Sequence, residues 1–306
     1  MIALLAPGQG SQTPGMLTPW LELPGATDQV EQWSKVSGLD LVRLGTTATA
    51  EEITDTAITQ PLVVALTLLA YDELTKRGHL NAKNTVVAGH SVGEIAAYAI
   101  AGVISADDAI ALAATRGAEM AKACALDPTG MSAVLGGDEA EVLERLEALE
   151  LVPANRNAVG QIVAAGRITA LEKLAEDPPA KARVRQLATA GAFHTHFMAP
   201  AQEAYAAAAA AIAPAEPCTT LLSNFDGFPV ASGTDAMDKL INQMTSPVRW
   251  DLCTEYFKTA NDTPVASAVV ELPPSGALAG IAKREMRGVT NHALKTPEDL
   301  DALAGL

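Results

Sequence analysis

The chain has 306 residues, enough for one large α/β domain carrying an insertion or for two modest domains. About 49% of the residues are hydrophobic and 19% charged, which excludes a disordered chain and leaves ample apolar surface for a core. A formal net charge of −15 repels phosphate backbones, so nucleic acid is not an expected partner.

The opening "MIALLAPGQG" lacks the basic flank of a signal peptide and reads as a strand over residues 2–6, ended by Pro7-Gly8. The next element is a helix predicted to begin at Gln60-Pro61, because proline suits a first helical turn. Leu62, Leu66, Leu69 and Leu74 follow near helical spacing until Lys76-Arg77-Gly78 closes it. Thr85–Ala88 is a short apolar strand, and a helix follows from Val92 to Ala101. Ser105, with Asp108 three residues on, has the pattern of a capping box and opens a helix that reaches Cys124.

Residues 127–189 have their own rhythm. "GMSAVLGG", "LVPANRN", "QIVAAG" and "ARVRQLA" read as strands, and "DEAEVLERLEALE" and "TALEKLAEDPP" as helices. The order βαββαβ is a ferredoxin-like arrangement, expected as a small subdomain inserted into a parallel α/β core formed by residues 1–126 and 190–306. Beyond it come an alanine-rich helix over 197–212, a strand "TTLLSN", a helix near 235–244, a strand "ASAVVEL" and a last helix "GALAGIAKREM". No uncharged apolar run reaches the ~18–20 residues of a membrane span, so no membrane is expected. Cys124, Cys218 and Cys253 are odd in number and lack metal-ligand spacing; they read as reduced thiols of a cytoplasmic protein without a metal.

Gly89-His90-Ser91-Val92-Gly93 fits G-x-S-x-G between a strand and a helix. A sharp turn there pushes the serine hydroxyl outward, and the new helix aims free N–H groups at any negative charge that forms beside it. Such a serine needs a base. His90 is inside the turn, and His79 follows a helix-ending glycine. His194 and His196 lie in "GAFHTHFM", and His292 lies in "VTNHALK". The order serine, acid, histidine is met by Ser91, Asp251 or Asp262, and His292, so a serine esterase or thioesterase using His292 is a competing reading. "APGQGSQ" offers backbone amides in a glycine turn, natural oxyanion donors. Arg116 shares a helix face with Leu112 and Met120, where it either snorkels to Glu119 or enters a pocket to hold a carboxylate.

"PGQGSQ", "GHSVGE", "RG" about 25 residues later, "GAFHT" and "QMTSPVRW" occur in that order. On these motifs the chain resembles the malonyl-CoA:acyl carrier protein transacylases of bacterial type II fatty acid synthesis, over nearly its whole length. It is also similar to the acyltransferase domains of polyketide synthases. The resemblance implies an α/β-hydrolase-like core with the ferredoxin-like insert, and a Ser91–His194 dyad. It implies an oxyanion hole from the amides of Gln9 and Val92, with Arg116 on the malonyl carboxylate. Gln243 would orient His194 through its backbone carbonyl, and Phe193 would crowd an α-methyl branch. Asn155 and Asn157 match a strand near the pocket, and Met120 is placed beside the substrate. The implied substrates are malonyl-CoA and holo acyl carrier protein, with no other cofactor, and the implied state is a monomer. Because the carrier and this chain are both acidic, docking requires a basic patch. The candidates are Lys181, Arg183 and Arg185, and Lys283, Arg284 and Arg287. The chain departs from the family's usual Phe-Pro-Gly start at Ala6, and "ELPPSG" stands in place of Gly-Pro-Gly.

Overall fold

The computed structural model describes residues 1–80, 84–258 and 266–306. It is a mixed α/β fold with one parallel sheet and a separate antiparallel sheet. Five strands form the parallel sheet: β1 (Ile2–Ala6), β2 (Thr85–Gly89), β7 (Thr220–Leu221), β8 (Ala268–Glu271) and β9 (Thr290–Ala293), in the order β7-β2-β1-β8-β9. Strands buried on both faces read as continuous apolar runs, and "IALLA" and "TVVAG" are buried throughout.

Alternation along these strands sends side chains to two cores. Ile2, Leu4, Ala6, Val87 and Val270 face one side, where α4 (Thr56–Lys76), α5 (Gly93–Ile100), α6 (Ala106–Cys124), α9 (Ala199–Ala210) and α10 (Gly233–Asn242) pack. Ala3, Leu5, Val86, Ala88 and Val269 face the other, against α11 (Trp250–Lys258) and α12 (Ala277–Glu285). Three further helices, α1 (Thr18–Leu21), α2 (Ala26–Ser37) and α3 (Leu41–Thr46), complete the first side through Trp20, Val30, Trp33 and Leu41.

The antiparallel sheet orders its strands β4-β5-β3-β6. They are β3 (Thr129–Gly136), β4 (Val152–Ala158), β5 (Gln161–Arg167) and β6 (Ala182–Gln186), with α7 (Glu139–Ala148) and α8 (Ile168–Glu176) on one face. Every element expected between 127 and 189 is present. A backbone bridge between Asn155 and Val248 ties β4 to the larger body.

Several expectations need correction. α4 begins at Thr56, because the Asp55 side chain accepts the Ala57 N–H at 2.8 Å and caps it. Pro61 therefore lies inside the helix, and the proline signal placed the start too late. By length and composition α4 is apolar enough to cross a membrane; here it is a core helix, buried from Thr59 to Ala70. The strand expected over "TTLLSN" shrinks to Thr220–Leu221, because Leu222 and Ser223 turn back to pair with Pro229 and Phe228. The helices α1–α3 and α11 and the strand β9 had no sequence forecast. The capping box of α6 is present, with Ser105 and Asp108 bonded reciprocally.

Candidate active site

Backbone packing makes the Ser91 turn. A Cβ on Gly89 would lie 2.1 Å from the Gly93 carbonyl carbon, and one on Gly93 would lie 2.3 Å from the Ala6 oxygen. Only glycines let β1, β2 and α5 approach this closely. Ser91 itself takes a left-handed φ of 55°, a conformation of order 1–3 kcal/mol above the relaxed chain. Asn224 holds it there. The Asn224 Oδ1 accepts the Ser91 N–H at 2.8 Å, and its Nδ2 donates to the Gly89 carbonyl at 2.7 Å.

The Ser91 Oγ lies 2.7 Å from His194 Nε2. His194 Nδ1 lies 2.9 Å from the Gln243 carbonyl oxygen. A carbonyl only accepts, so Nδ1 carries the proton and Nε2 presents its lone pair to the serine hydroxyl. His194 is buried, at a φ of 60°. Burial, and next the Arg116 charge, push its pKa down to about 3, so the imidazole is neutral and ready to take a proton.

Arg116 is buried on α6, contrary to the snorkelling alternative, and Glu119 pairs with Lys122 instead. The Arg116 Nη1 donates to Gln60 Oε1 at 2.8 Å and Nη2 to Gln243 Oε1 at 3.0 Å, while Nε has no partner. Both acceptors are neutral amides, so the guanidinium keeps a charge that no bonded carboxylate offsets. Gln60 is steadied in turn by Met120, whose sulfur lies 3.4 Å from its Nε2.

Behind these groups is a residue that sequence reasoning missed. Glu94 is fully buried, and its oxygens accept the Asn224 N–H and the Gln243 Nε2–H. Burial pushes its carboxyl up to about 8, against those two donors. Gln243 thus reaches four parts of the site. Its carbonyl holds His194, its Oε1 holds Arg116, and its Nε2 donates to Glu94 and to the Ser91 carbonyl at 3.0 Å. The signal for Glu94 was in the motif "GHSVGE", where a charged residue opens an otherwise apolar helix.

Ser91, His194, Arg116 and Gln60 line one cavity of about 310 Å³, while Gln243, expected to bind substrate, stands behind its wall with Glu94 and Asn224. Gln9, Ser91, Val92, Arg116, Met120, Asn155, Phe193 and His194 all face it. Among the described residues no hydrogen bond engages the Gln9 or Val92 amide. Asn157 also lines the cavity, with Oδ1 2.9 Å from His90 Nε2, which occupies the histidine of the turn. His292 lies elsewhere. It is on β9, three strand spacings or about 14 Å of sheet from β2, with Nε2 unpartnered. Asp251 is paired with Arg249 at 2.9 Å, and Asp262 falls outside the described residues. His196 is exposed and stacks on Phe197.

The acyl transferase domain model matches residues 4–296. A "Malonyl CoA-acyl carrier protein transacylase" of Mycobacterium tuberculosis is 71% identical over 306 residues, covering 100% of both chains. The protein of that name from Escherichia coli K12 is 31% identical over 307 residues, covering 98% of this chain and 97% of its own. The chain belongs to the malonyl CoA-acyl carrier protein transacylase family. The crystal structure of MCAT from M. tuberculosis superposes with a TM-score of 0.96 at 71% identity, covering 99% of each chain. A malonyl-transacylase in complex with its type II polyketide acyl-carrier protein superposes at 0.91 and 27% identity, covering 99% of this chain and 98% of that one. The fold is therefore shared along nearly the whole chain.

Proposed function

We propose that the protein transfers malonyl from coenzyme A to the phosphopantetheine thiol of acyl carrier protein, through a malonyl-Ser91 intermediate, and so supplies fatty acid synthesis. The observation that carries this reading is the Ser91–His194 contact of 2.7 Å in one cavity with the buried Arg116. His194 takes the serine proton as the oxygen attacks the thioester carbonyl. The oxyanion is met by the free amides of Gln9 and Val92, each such donor lowering the barrier by about 3–4 kcal/mol. Coenzyme A leaves as the thiol, taking the proton from His194. The carrier's thiol then enters, gives its proton to His194 and attacks the malonyl ester, and Ser91 leaves as the hydroxyl.

Arg116 binds the malonyl carboxylate and fixes the acyl group against competing water attack. Phe193, buried beside His194, narrows the space at the α-carbon and selects malonyl over methylmalonyl. Met120 and Asn155 complete the acyl pocket, and Gln243 positions the base. The residues require no cofactor beyond the two thioester substrates. The scaffold is read as an α/β-hydrolase-like core, residues 1–126 and 190–306, with the ferredoxin-like subdomain 127–189 roofing the cavity. The three cysteines are unpaired thiols, which suits a cytoplasmic enzyme, and a monomer suffices because every proposed group comes from one chain.

The test incubates the protein with malonyl-CoA and holo carrier protein and weighs all three species. Malonyl on the carrier with little free malonate supports transfer; free malonate as the main product overturns it. Ser91→Ala is expected to give no malonyl-protein adduct in the same measurement.

A further inference from the structure

We propose that Ser11 is a positioning residue of the oxyanion hole: its hydroxyl locks the Gly8–Gln9 peptide so that the Gln9 N–H is presented to the oxyanion. This rests on the malonyl-transfer reading of the site. In that reading "PGQGSQ" contributes only the Gln9 amide, and Ser11 and Gln12 are left without work.

A backbone N–H points where its peptide plane points. The Gly8–Gln9 peptide is trans, so the Gly8 carbonyl and the Gln9 N–H face opposite ways across one rigid plane. Whatever holds that carbonyl therefore aims that N–H. The Ser11 hydroxyl donates to the Gly8 carbonyl oxygen at 2.8 Å. On the other edge of the plane, the Gln9 N–H has no partner among the described residues, and Gln9 lines the cavity with Ser91 and Val92.

The plane needs a lock because its setting is loose. It turns about the ψ of Gly8 and the φ of Gln9, and Gly8 has no Cβ to resist the turn. Gly8 is required for another reason: a Cβ there would lie 2.7 Å from the His90 carbonyl oxygen. The residue that lets the loop pack on the Ser91 turn thus also frees the peptide beside it. The other side-chain bonds of the loop brace its flanks and leave this plane alone. Gln12 Oε1 accepts the Gly10 N–H at 2.7 Å, and Gln9 Nε2 donates to Thr56 Oγ1 at 3.3 Å. Among the described residues, Ser11 is the only partner of the Gly8 carbonyl.

The second donor is held by the same device, but twice over. The Ser91–Val92 peptide is also trans, and the Ser91 carbonyl accepts the Gln243 Nε2–H at 3.0 Å and the Glu94 N–H at 3.0 Å. The Val92 N–H faces the other way. Two donors fix that peptide, whereas one hydroxyl fixes the Gly8–Gln9 peptide. The Gln9 amide is therefore the donor that a single side-chain change can misdirect.

Ser11→Ala, Ser11→Gly and Ser11→Thr are compared with the wild type in single-turnover acylation of Ser91, read by intact mass, with malonyl-CoA and with acetyl-CoA. Ser11 is partly exposed in a loop, so these variants leave the core intact. Ser11→Ala and Ser11→Gly are expected to slow acylation at saturating donor about 10- to 50-fold, within the roughly 10²- to 10³-fold that loss of a whole oxyanion donor costs. The half-saturating concentration is expected to stay within about twofold of wild type, as for a group that acts in the transition state. The factor is expected to be the same for both donors, because both form the oxyanion and only malonyl carries a carboxylate. Ser11→Thr keeps the hydroxyl and is expected to recover most of the rate. Acylation at the wild-type rate in Ser11→Ala and Ser11→Gly overturns the proposal, and so does a Ser11→Thr enzyme as slow as Ser11→Ala. A loss confined to malonyl-CoA overturns it by placing Ser11 on the carboxylate, and a loss seen only as weaker half-saturation overturns it by making Ser11 a wall of the cavity. Failure of the wild type to form any malonyl-protein adduct would instead overturn the parent reading.

Discussion

Two strand-to-helix crossings leave neighbouring parts of the same parallel sheet, and they treat their helix N-termini in opposite ways. At the β8–α12 crossing, the buried Glu271 fills the terminus: Oε2 accepts the Gly276 and Ala279 N–H groups at 2.8 Å, and Oε1 accepts that of Leu278 at 3.1 Å. At the β2–α5 crossing, the buried Glu94 points away from the terminus and engages Asn224 and Gln243. The Val92 amide is left open beside Ser91. A helix N-terminus attracts negative charge. Where a side chain already satisfies it, it only anchors a helix. Where it is open, in a cavity walled by an uncompensated guanidinium, it is available to a charge that forms during reaction. The contrast explains why two buried glutamates at similar places in the fold serve different ends.

The strongest test of the open crossing removes its charge. Arg116→Ala deletes the proposed partner of the malonyl carboxylate and strands the acceptors of Gln60 and Gln243. Two charge-assisted hydrogen bonds amount to about 3–4 kcal/mol, so malonyl transfer is expected to fall roughly 10²- to 10³-fold. Acetyl transfer or hydrolysis is expected to be spared or improved, as rates with malonyl-CoA and acetyl-CoA would record. Equal losses with both donors would reduce Arg116 to a structural residue.

A second effect follows from the burial of the base beside that charge. His194 titrates near 3 in the folded protein and about 6.5 in the unfolded chain. Between those values the unfolded chain binds a proton that the folded one refuses. Stability therefore falls as pH drops below about 6.5, by up to about 1.4 kcal/mol per pH unit from this group. Glu94, raised to about 8, acts with the opposite sign and withdraws stability as pH rises from about 4.5 to 8. Urea midpoints of wild type and His194→Gln between pH 7 and 4 check the first claim. Their difference is expected to change steadily with pH; a constant difference would contradict it.

The elements that follow one strong periodicity were legible in the sequence. β1, β2, α5 and α6 fell where apolar runs and the Ser105 cap put them, and the inserted βαββαβ unit was complete. Ser91 was legible because its glycines answer to a local steric demand, and His194 and Arg116 because their motifs resemble a family's. Gln243 was anticipated for its carbonyl only. Its side-chain bonds to Arg116 and Glu94 join residues 127 and 149 positions apart, and no local pattern encodes such a meeting. Helices α1–α3 escaped for a related reason. α1 and α3 are short, and all three are held by the burial of Trp20, Trp33 and Leu41 against other elements rather than by propensity. The α4 start shows two local signals in conflict, where the Asp55 cap prevailed over the proline.

One substitution made at each crossing sharpens the comparison. Glutamine has a single acceptor oxygen and, unlike a carboxyl, cannot ionise to accept from every donor around it, so its NH₂ must face one of them at any pH. In Glu94→Gln that conflict falls on Asn224 or Gln243, the two residues that hold Ser91, His194 and Arg116. A loss of about 1–2 kcal/mol is expected to appear in the reaction, as a roughly tenfold drop in kcat/KM for malonyl-CoA.

In Glu271→Gln the conflict falls on one of three backbone N–H groups at the start of α12. None of those amides meets the acyl group in the proposed reaction. The loss, again about 1–2 kcal/mol, is expected in the unfolding free energy, with malonyl-protein formation proceeding near the wild-type rate. α12 does carry Leu278, Ile281 and Arg284 along the cavity wall, so a loosened helix is expected to raise KM slightly before it touches kcat. Denaturant titration and single-turnover acylation of the two variants separate these outcomes. If Glu271→Gln slowed acylation as much as Glu94→Gln, the filled terminus would belong to the reaction too, and the distinction between the two crossings would fail.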